Sequence, residues 1–522
     1  MDRCWGCSRF ALGDGAANRR PRTEAQTMRW KSSTPVLIAG WLLCRPLPAQ
    51  QPTTAAPLVI EHVTVIDVRT GRRLADHDLV ISGSRIVGLG PSDSLPAPAR
   101  ARVVDGRSKF VIPGLWDMHV HLFNNASDPG THEAEWYFPL FIANGITGVR
   151  DMWTDLDDIR LVREWNRQVA ADELVGPRIV PTGPLLDGPR PIWPNAVSIT
   201  TPARARTIVD SLVRGGVQTL KIYDGLSRDV YVAVVAEAKR LGVPFVGHVP
   251  GVLLGAEVSD AGQRSIEHLH IREDCSTLGL EAVRRRSATP AQAAQPGQRG
   301  RILQTYSDSL CAELFRKLVR NGTWQDPVLV GRRQGLLRGD TAFVDPWRWD
   351  PRLSYVRPAE AAQWEARSVD DLRRATGESV DLGRREFQNL LHITGRMSQA
   401  GVPILAGTDI GNPYRVAGFS LHEELALLVE AGLTPLGALQ AATLNPATFL
   451  NGADSLGSLL PGRLADLVVL DGDPLSDISN TRKIHAVVLN GRYIERASLD
   501  TLLLKGQAAA NRPPTAAAGS PR

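Results

Sequence analysis

The chain has 522 residues, 43% hydrophobic and 22% charged, ordinary globular values that support a large core and exceed one ordinary domain. Residues 1–50 hold eight Lys/Arg against three Asp/Glu and so carry the whole net charge of +5. The remainder is formally neutral and shows no basic stripe interleaved with aromatics, which excludes nucleic-acid binding as the meaning of the basic pI.

The first segment, 1–50, reads as an N-terminal extension followed by a signal peptide. Arg29 and Lys31 precede the apolar run 36–44, and Pro46-Leu47-Pro48-Ala49 offers a small residue for cleavage. The pattern begins at Met28, which sets the expected start of translation there. The run is too short for a stable membrane span, so the mature chain is expected in the periplasm or outside the cell. Cys4, Cys7 and Cys44 fall in this leader, leaving Cys275 and Cys311. In an oxidising compartment two readings of that pair stand, a disulfide or two buried free thiols.

Residues 58–112 alternate as strands do, through Val63-Thr64-Val65-Ile66 and Leu79-Val80-Ile81-Ser82, with turns at Thr70-Gly71 and Gly83. The same texture returns over 464–494. Segments 51–112 and 455–500 therefore predict a small β-sandwich domain built from both ends. Between them, residues 113–454 alternate short apolar runs with helical stretches, the pattern of βα units around a parallel sheet. The runs end near His121, Arg150, Gly183, Tyr223, His248, His268, Val330 and Asp409. Eight such units predict an α/β fold of the TIM-type (β/α)8 class. A helical insertion is expected at about 275–395. Its stretch 340–380 carries Trp347, Trp349 and Trp364 and reads either as a lid or as a solvated extension. Residues 501–522, rich in Ala and Pro, predict a disordered tail.

His119 and His121 end an apolar strand with i, i+2 spacing, so they share one face and can grip one ion. A lone His-x-His is weak evidence of a site. Other strand ends strengthen it: Lys221 lies inside the run 218–223, His248 ends 243–248, His268 ends 264–268 and Asp409 ends 402–409. Taken singly, each has a bland explanation, namely a snorkelling lysine, satisfied core histidines or a carboxylate that caps a helix. Those explanations do not account for ligand types recurring at successive strand tips, where barrel enzymes place their chemistry.

With Pro113-Gly114-Leu115-Trp116-Asp117-Met118-His119-Val120-His121, Leu220-Lys221-Ile222-Tyr223, Gly247-His248-Val249-Pro250, Ile266-Glu267-His268 and Ala406-Gly407-Thr408-Asp409, the chain resembles the amidohydrolase superfamily. Leu421-His422-Glu423-Glu424-Leu425 and Gly462-Arg463-Leu464-Ala465-Asp466-Leu467 add to the likeness, which covers most of 58–496 and points to the imidazolonepropionase-like and prolidase-like branch. The resemblance implies that His119, His121 and Asp409 bind one divalent ion and His248 and His268 a second, with zinc the leading metal. It implies that Lys221 bridges both as a carbamate formed with carbon dioxide, a modification that needs the neutral amine favoured by burial. Asp409 would move a proton from the attacking water to the leaving nitrogen, and Tyr223 would touch the substrate.

The imidazolonepropionase pattern itself uses one metal and lacks the bridging lysine. Lys221 therefore draws the assignment toward two-metal, prolidase-like members. The function implied is an exported binuclear hydrolase of C–N bonds in dipeptides (Xaa-Pro included), N-acyl amino acids or cyclic amides. Its partner is a small molecule or dipeptide, not a nucleic acid, and the oligomeric state is left open, a homo-oligomer included. The alternatives are an esterase or lactonase at the same metals, and a metal-free binding protein on the same barrel. Among lesser candidates, His132, Trp136 and Tyr137 are placed at the pocket and His270 beside His268. Arg150-Asp151 is read as an ion pair that supports the site, and His422 as structural.

Overall fold

The computed structural model describes residues 56–123, 133–193, 195–288 and 298–513. The expected leader with its three cysteines, His132 and the last part of the tail lie outside these residues.

The alternating runs become β1 (Leu58–Asp67), β2 (Arg72–Ser82), β3 (Arg85–Pro91), β4 (Arg102–Asp105) and β5 (Phe110–Pro113). The parallel strands follow: β6 (Leu115–Val120), β7 (Ile146–Asp151), β8 (Arg178–Pro181), β9 (Leu185–Asp187), β10 (Val197–Ser198), β11 (Leu220–Ile222), β12 (Phe245–Gly247), β13 (Ser265–Glu267) and β14 (Trp324–Asp326). The chain then returns through β15 (Leu467–Leu470), β16 (Ile484–Leu489) and β17 (Arg492–Glu495).

Strands from the two ends form one eight-stranded sheet in the order β17-β16-β15-β5-β1-β2-β3, with β4 beside β1. The expected sandwich is thus a single hydrogen-bonded sheet, because β5 pairs with β1 on one side and β15 on the other. Its two faces serve different cores. Leu467, Val469, Ala486 and Val488 pack with Leu58, Ile60 and Val65, whereas Val468, Leu470, Val487 and Leu489 join the core of the α/β part. Strands covered on both faces lose the apolar-polar alternation of a surface sheet.

The parallel strands make two sheets, β6-β7-β8 and β10-β9-β11-β12-β13-β14. Backbone bonds link them at both margins. Gly183 N donates to Thr219 O at 2.7 Å, and the segment around Asp409 bridges Ile404 to Gln325 and Ile410 to Val120. All their carboxyl ends therefore meet the same surface, which positions the site.

Three expectations need correction. The seventh strand ends at Asp326, not Val330: Val328 turns the chain at φ 50° and Leu329–Leu337 is a helix. The Glu424 carboxylate accepts from Leu329 N and Val330 N, so an apolar run that reads as a strand is a helix start. Hence the insertion at 275–395 is interrupted by β14. Finally, the disordered tail expected from 501 is helix as far as Ala510 (Arg496–Ala510), with Leu499, Leu502, Ala509 and Ala510 buried. Gly506 approaches the helix Glu133–Ala143 so closely that a Cβ would lie 2.7 Å from Leu140. Small residues needed for tight packing mimic the composition of a loose end.

Within the insertion, Trp347 and Trp364 pack with Val356, Tyr414 and Val416, while Trp349 is exposed. Cys275 and Cys311, both fully buried, form a disulfide with their Cα atoms 4.6 Å apart.

Candidate metal centre

Strand tips bring seven predicted residues to one cavity of about 80 Å³: His119, His121, Lys221, Tyr223, His248, His268 and Asp409. Trp153, Leu185, Trp193 and Asn412 complete its walls. His119 belongs to β6 and Lys221 is the middle residue of β11; His248 and His268 directly follow β12 and β13. His268 and Asp409 adopt left-handed backbone (φ 59° and 58°), a conformation uncommon for residues other than glycine and one that recurs where chemistry dictates side-chain direction. Gly407 lets the segment bearing Asp409 come close: a Cβ there would lie 2.6 Å from both His119 Cβ and Asp326 Oδ2.

His121 Nε2 lies 2.9 Å from Asp409 Oδ1, and His119 Nε2 lies 3.6 Å from the same oxygen. Donor atoms of these three residues fall within 4.8 Å of one another, a span that suits one ion. The His119 ring is 4.7 Å from that of His268, which in turn lies 5.0 Å from His248. His248 Nδ1 donates to Asp224 Oδ1 at 2.9 Å, and this leaves the Nε2 lone pair free to ligate. His270 Nδ1 lies 3.5 Å from the same oxygen. Asp224, His248 and His270 therefore form a group of their own, and His270 sits beside His248 rather than serving His268 alone.

The residues present fit a metal. Lys221 is 1% exposed and its Nζ makes no hydrogen bond. Both ring nitrogens of His119 and Nδ1 of His121 are likewise buried without a hydrogen bond. Buried polar atoms left unpaired cost stability unless something else uses them. Burial pushes Lys221 down to about 8 and His119 down to about 3, toward the neutral forms that carbamate formation and metal ligation require. Desolvation would raise Asp409, but Arg415, His121 and His119 outweigh it and hold its carboxyl below the usual range.

Beneath the cavity lies a second polar layer. Asp117, which burial pushes up to about 7, accepts from Thr408 Oγ1 (2.6 Å), Thr408 N (3.0 Å) and His119 N (3.2 Å), tying β6 to the Asp409 segment. Arg150 does not pair with Asp151. Its guanidinium bonds to Met118 O (2.6 Å), Ser265 Oγ (3.1 Å), Glu267 Oε2 (3.1 Å) and Asp326 Oδ2 (3.2 Å). Glu267 Oε2 lies 3.4 Å from His119 Nδ1.

Trp136 and Tyr137 are core residues and do not line the cavity. His422 is structural: its ring nitrogens contact Thr481 Oγ1 (3.0 Å) and Asn144 O (3.1 Å). The sequence reading missed Trp153, Trp193, Asp224, Asn412 and Arg415. Proximity was the available signal, since Asp224 follows Tyr223 directly and Asn412 and Arg415 lie three and six residues past Asp409. Trp193 Nε1 donates to the Tyr223 hydroxyl at 2.9 Å.

Residues 110–288 and 388–494 match the amidohydrolase family model. The imidazolonepropionase of Geobacillus kaustophilus (strain HTA426) is 25% identical over 443 residues, 80% of this chain and 88% of that protein. Among solved structures, bottromycin amidohydrolase is 25% identical with a TM-score of 0.64, covering 88% of this chain and 92% of the other. A Xaa-Pro dipeptidase with bound methionine is 21% identical with a TM-score of 0.58, covering 84% and 100%.

Proposed function

The chain belongs to the amidohydrolase family of metal-dependent hydrolases acting on carbon–nitrogen bonds, and from that premise we propose an exported, binuclear hydrolase of small amides or dipeptides. The observation that carries this reading is Lys221, a buried, unpartnered amine in a cavity with four histidines and an aspartate. We read the linked parallel strands as one (β/α)8 barrel, consistent with a TM-score of 0.64 to a family structure.

In this reading His119, His121 and Asp409 would hold one ion, His248 and His268 the other, and Lys221, once carboxylated, would be a ligand to both. When bound, the ions polarise a carbonyl and acidify water. Asp409 accepts the proton of the attacking water on a carboxylate oxygen and delivers it to the leaving nitrogen. Asp224 fixes the ring of His248, and Asp117 fixes the backbone of His119. Tyr223, its hydroxyl oxygen already accepting from Trp193, keeps its own proton to donate to substrate. The disulfide supports an oxidising compartment.

The test is a hydrolysis screen over Xaa-Pro, Xaa-Arg and N-acyl amino acids with paired esters, on protein analysed for metal. Two zinc equivalents per chain and amide cleavage abolished by chelation are expected. Protein loaded with zinc, manganese or cobalt that cleaves no amide overturns the proposal, and cleavage of esters alone replaces it with the esterase reading.

A further inference from the structure

Asp409 is gripped from outside the cavity. Arg415, six residues later, places Nη1 2.7 Å from Asp409 Oδ2, and its side chain is 9% exposed. The other oxygen, Oδ1, meets His121 Nε2 at 2.9 Å and Asn412 Nδ2 at 3.1 Å. With a partner fixed on each oxygen, the carboxylate cannot rotate without breaking one of them. Arg415 does not line the cavity, and its Nε is buried without a hydrogen bond. Asp409 is therefore the contact around which this guanidinium is arranged.

The guanidinium lies against Gly331, the third residue of the helix Leu329–Leu337. A Cβ at position 331 would sit 2.4 Å from Arg415 Nη1 and 3.4 Å from Cζ. Glycine inside a helix is less stable than alanine, so its presence there calls for a packing reason, and the arginine supplies one. The helix itself is held in place by Glu424, whose two oxygens accept from Leu329 N (2.9 Å) and Val330 N (2.7 Å). A continuous path of contacts thus runs from Glu424 through the helix to Gly331, Arg415 and Asp409.

We propose that Arg415, seated in the slot left by Gly331, is a positioning residue that fixes the Asp409 carboxylate for metal binding and proton transfer, and that the two residues act as one unit. The proposal rests on Asp409 being a metal ligand. It is a role for a residue pair that faces away from substrate.

The test uses chelator-stripped full-length protein, titrated with zinc by calorimetry and then assayed on the amide that the wild type cleaves, with G331A, R415A and the double variant compared. Outer contacts of this kind change metal affinity or activity about 10–100-fold. R415A is expected to lose zinc affinity and kcat by about tenfold or more, with KM changed far less. Millimolar guanidinium is expected to restore part of the lost kcat, a rescue that a merely structural defect would not show. G331A alone should cause a loss in the same direction, because its Cβ displaces the guanidinium. In the R415A background G331A should cause no further loss and should raise the melting temperature. Wild-type zinc affinity and turnover in both R415A and G331A would overturn the proposal alone, as would an equal loss from G331A with and without the arginine. A wild type that binds no zinc would overturn the metal reading, and this inference with it.

Discussion

Arg150 on β7 and Lys221 on β11 are both buried cations on parallel strands of the two sheets, and the fold treats them in opposite ways. The guanidinium, which cannot be neutralised in a protein, is given Met118 O, Ser265, Glu267 and Asp326. The amine receives no hydrogen bond and is pushed down to about 8 by burial. A compensated charge holds strands together, whereas an uncompensated one is available for chemistry. The contrast can be broken experimentally at either end.

The largest expected effect is at the amine. Lys221→Ala should lower kcat/KM by on the order of 10³-fold, ~4 kcal/mol of transition-state stabilisation, while the circular dichroism spectrum stays unchanged. Normal turnover in this variant would remove its bridging role. At the guanidinium the loss should instead be one of folding. Arg150→Met leaves Glu267 and Asp326 as an uncompensated buried pair and should cost about 3–5 kcal/mol, read from urea denaturation.

The pH dependence of the metal-free protein sharpens the same contrast. The folded Lys221 value, about 8, lies below the ordinary lysine value of 10.5, so between these limits the unfolded chain binds more protons and stability rises with pH. Below about pH 8 the amine is protonated in both states and the full burial cost applies. Metal-free wild type should therefore gain about 3 kcal/mol relative to Lys221→Met between pH 8 and 10.5. A flat difference across that window would show that the amine is compensated after all. The smallest effect is expected from Trp193→Phe, which removes the N–H held by the Tyr223 hydroxyl. KM should rise several-fold, about 1 kcal/mol, with kcat nearly constant in steady-state assays.

The seven predicted residues that meet at the cavity were legible because alternation along a strand puts His119 and His121 on one face and parallel strands end on a common surface, while Tyr223 came from the family resemblance. Their supports were not legible. Arg150 meets Ser265 and Asp326 across 115 and 176 residues of sequence, a separation at which no local pattern announces a pairing. The apolar run at 328–330 has no period that separates a buried strand from a helix start, and Glu424, which decides it, lies almost a hundred residues away. The sheet built from both ends was anticipated. That it would be one sheet was not, since strand order depends on β5 choosing partners from both ends of the chain.

That shared sheet has a consequence for synthesis. β5 cannot be flanked on its second side until β15 has been made, and the helix Glu133–Ala143 stays uncovered until Arg496–Ala510 follows. Until then the emerging chain carries an unpaired strand edge at β5, the kind of feature that exposes a folding chain to aggregation. Completion of this sheet and of that helix pair waits until the segment from Leu467 to Ala510 has left the ribosome.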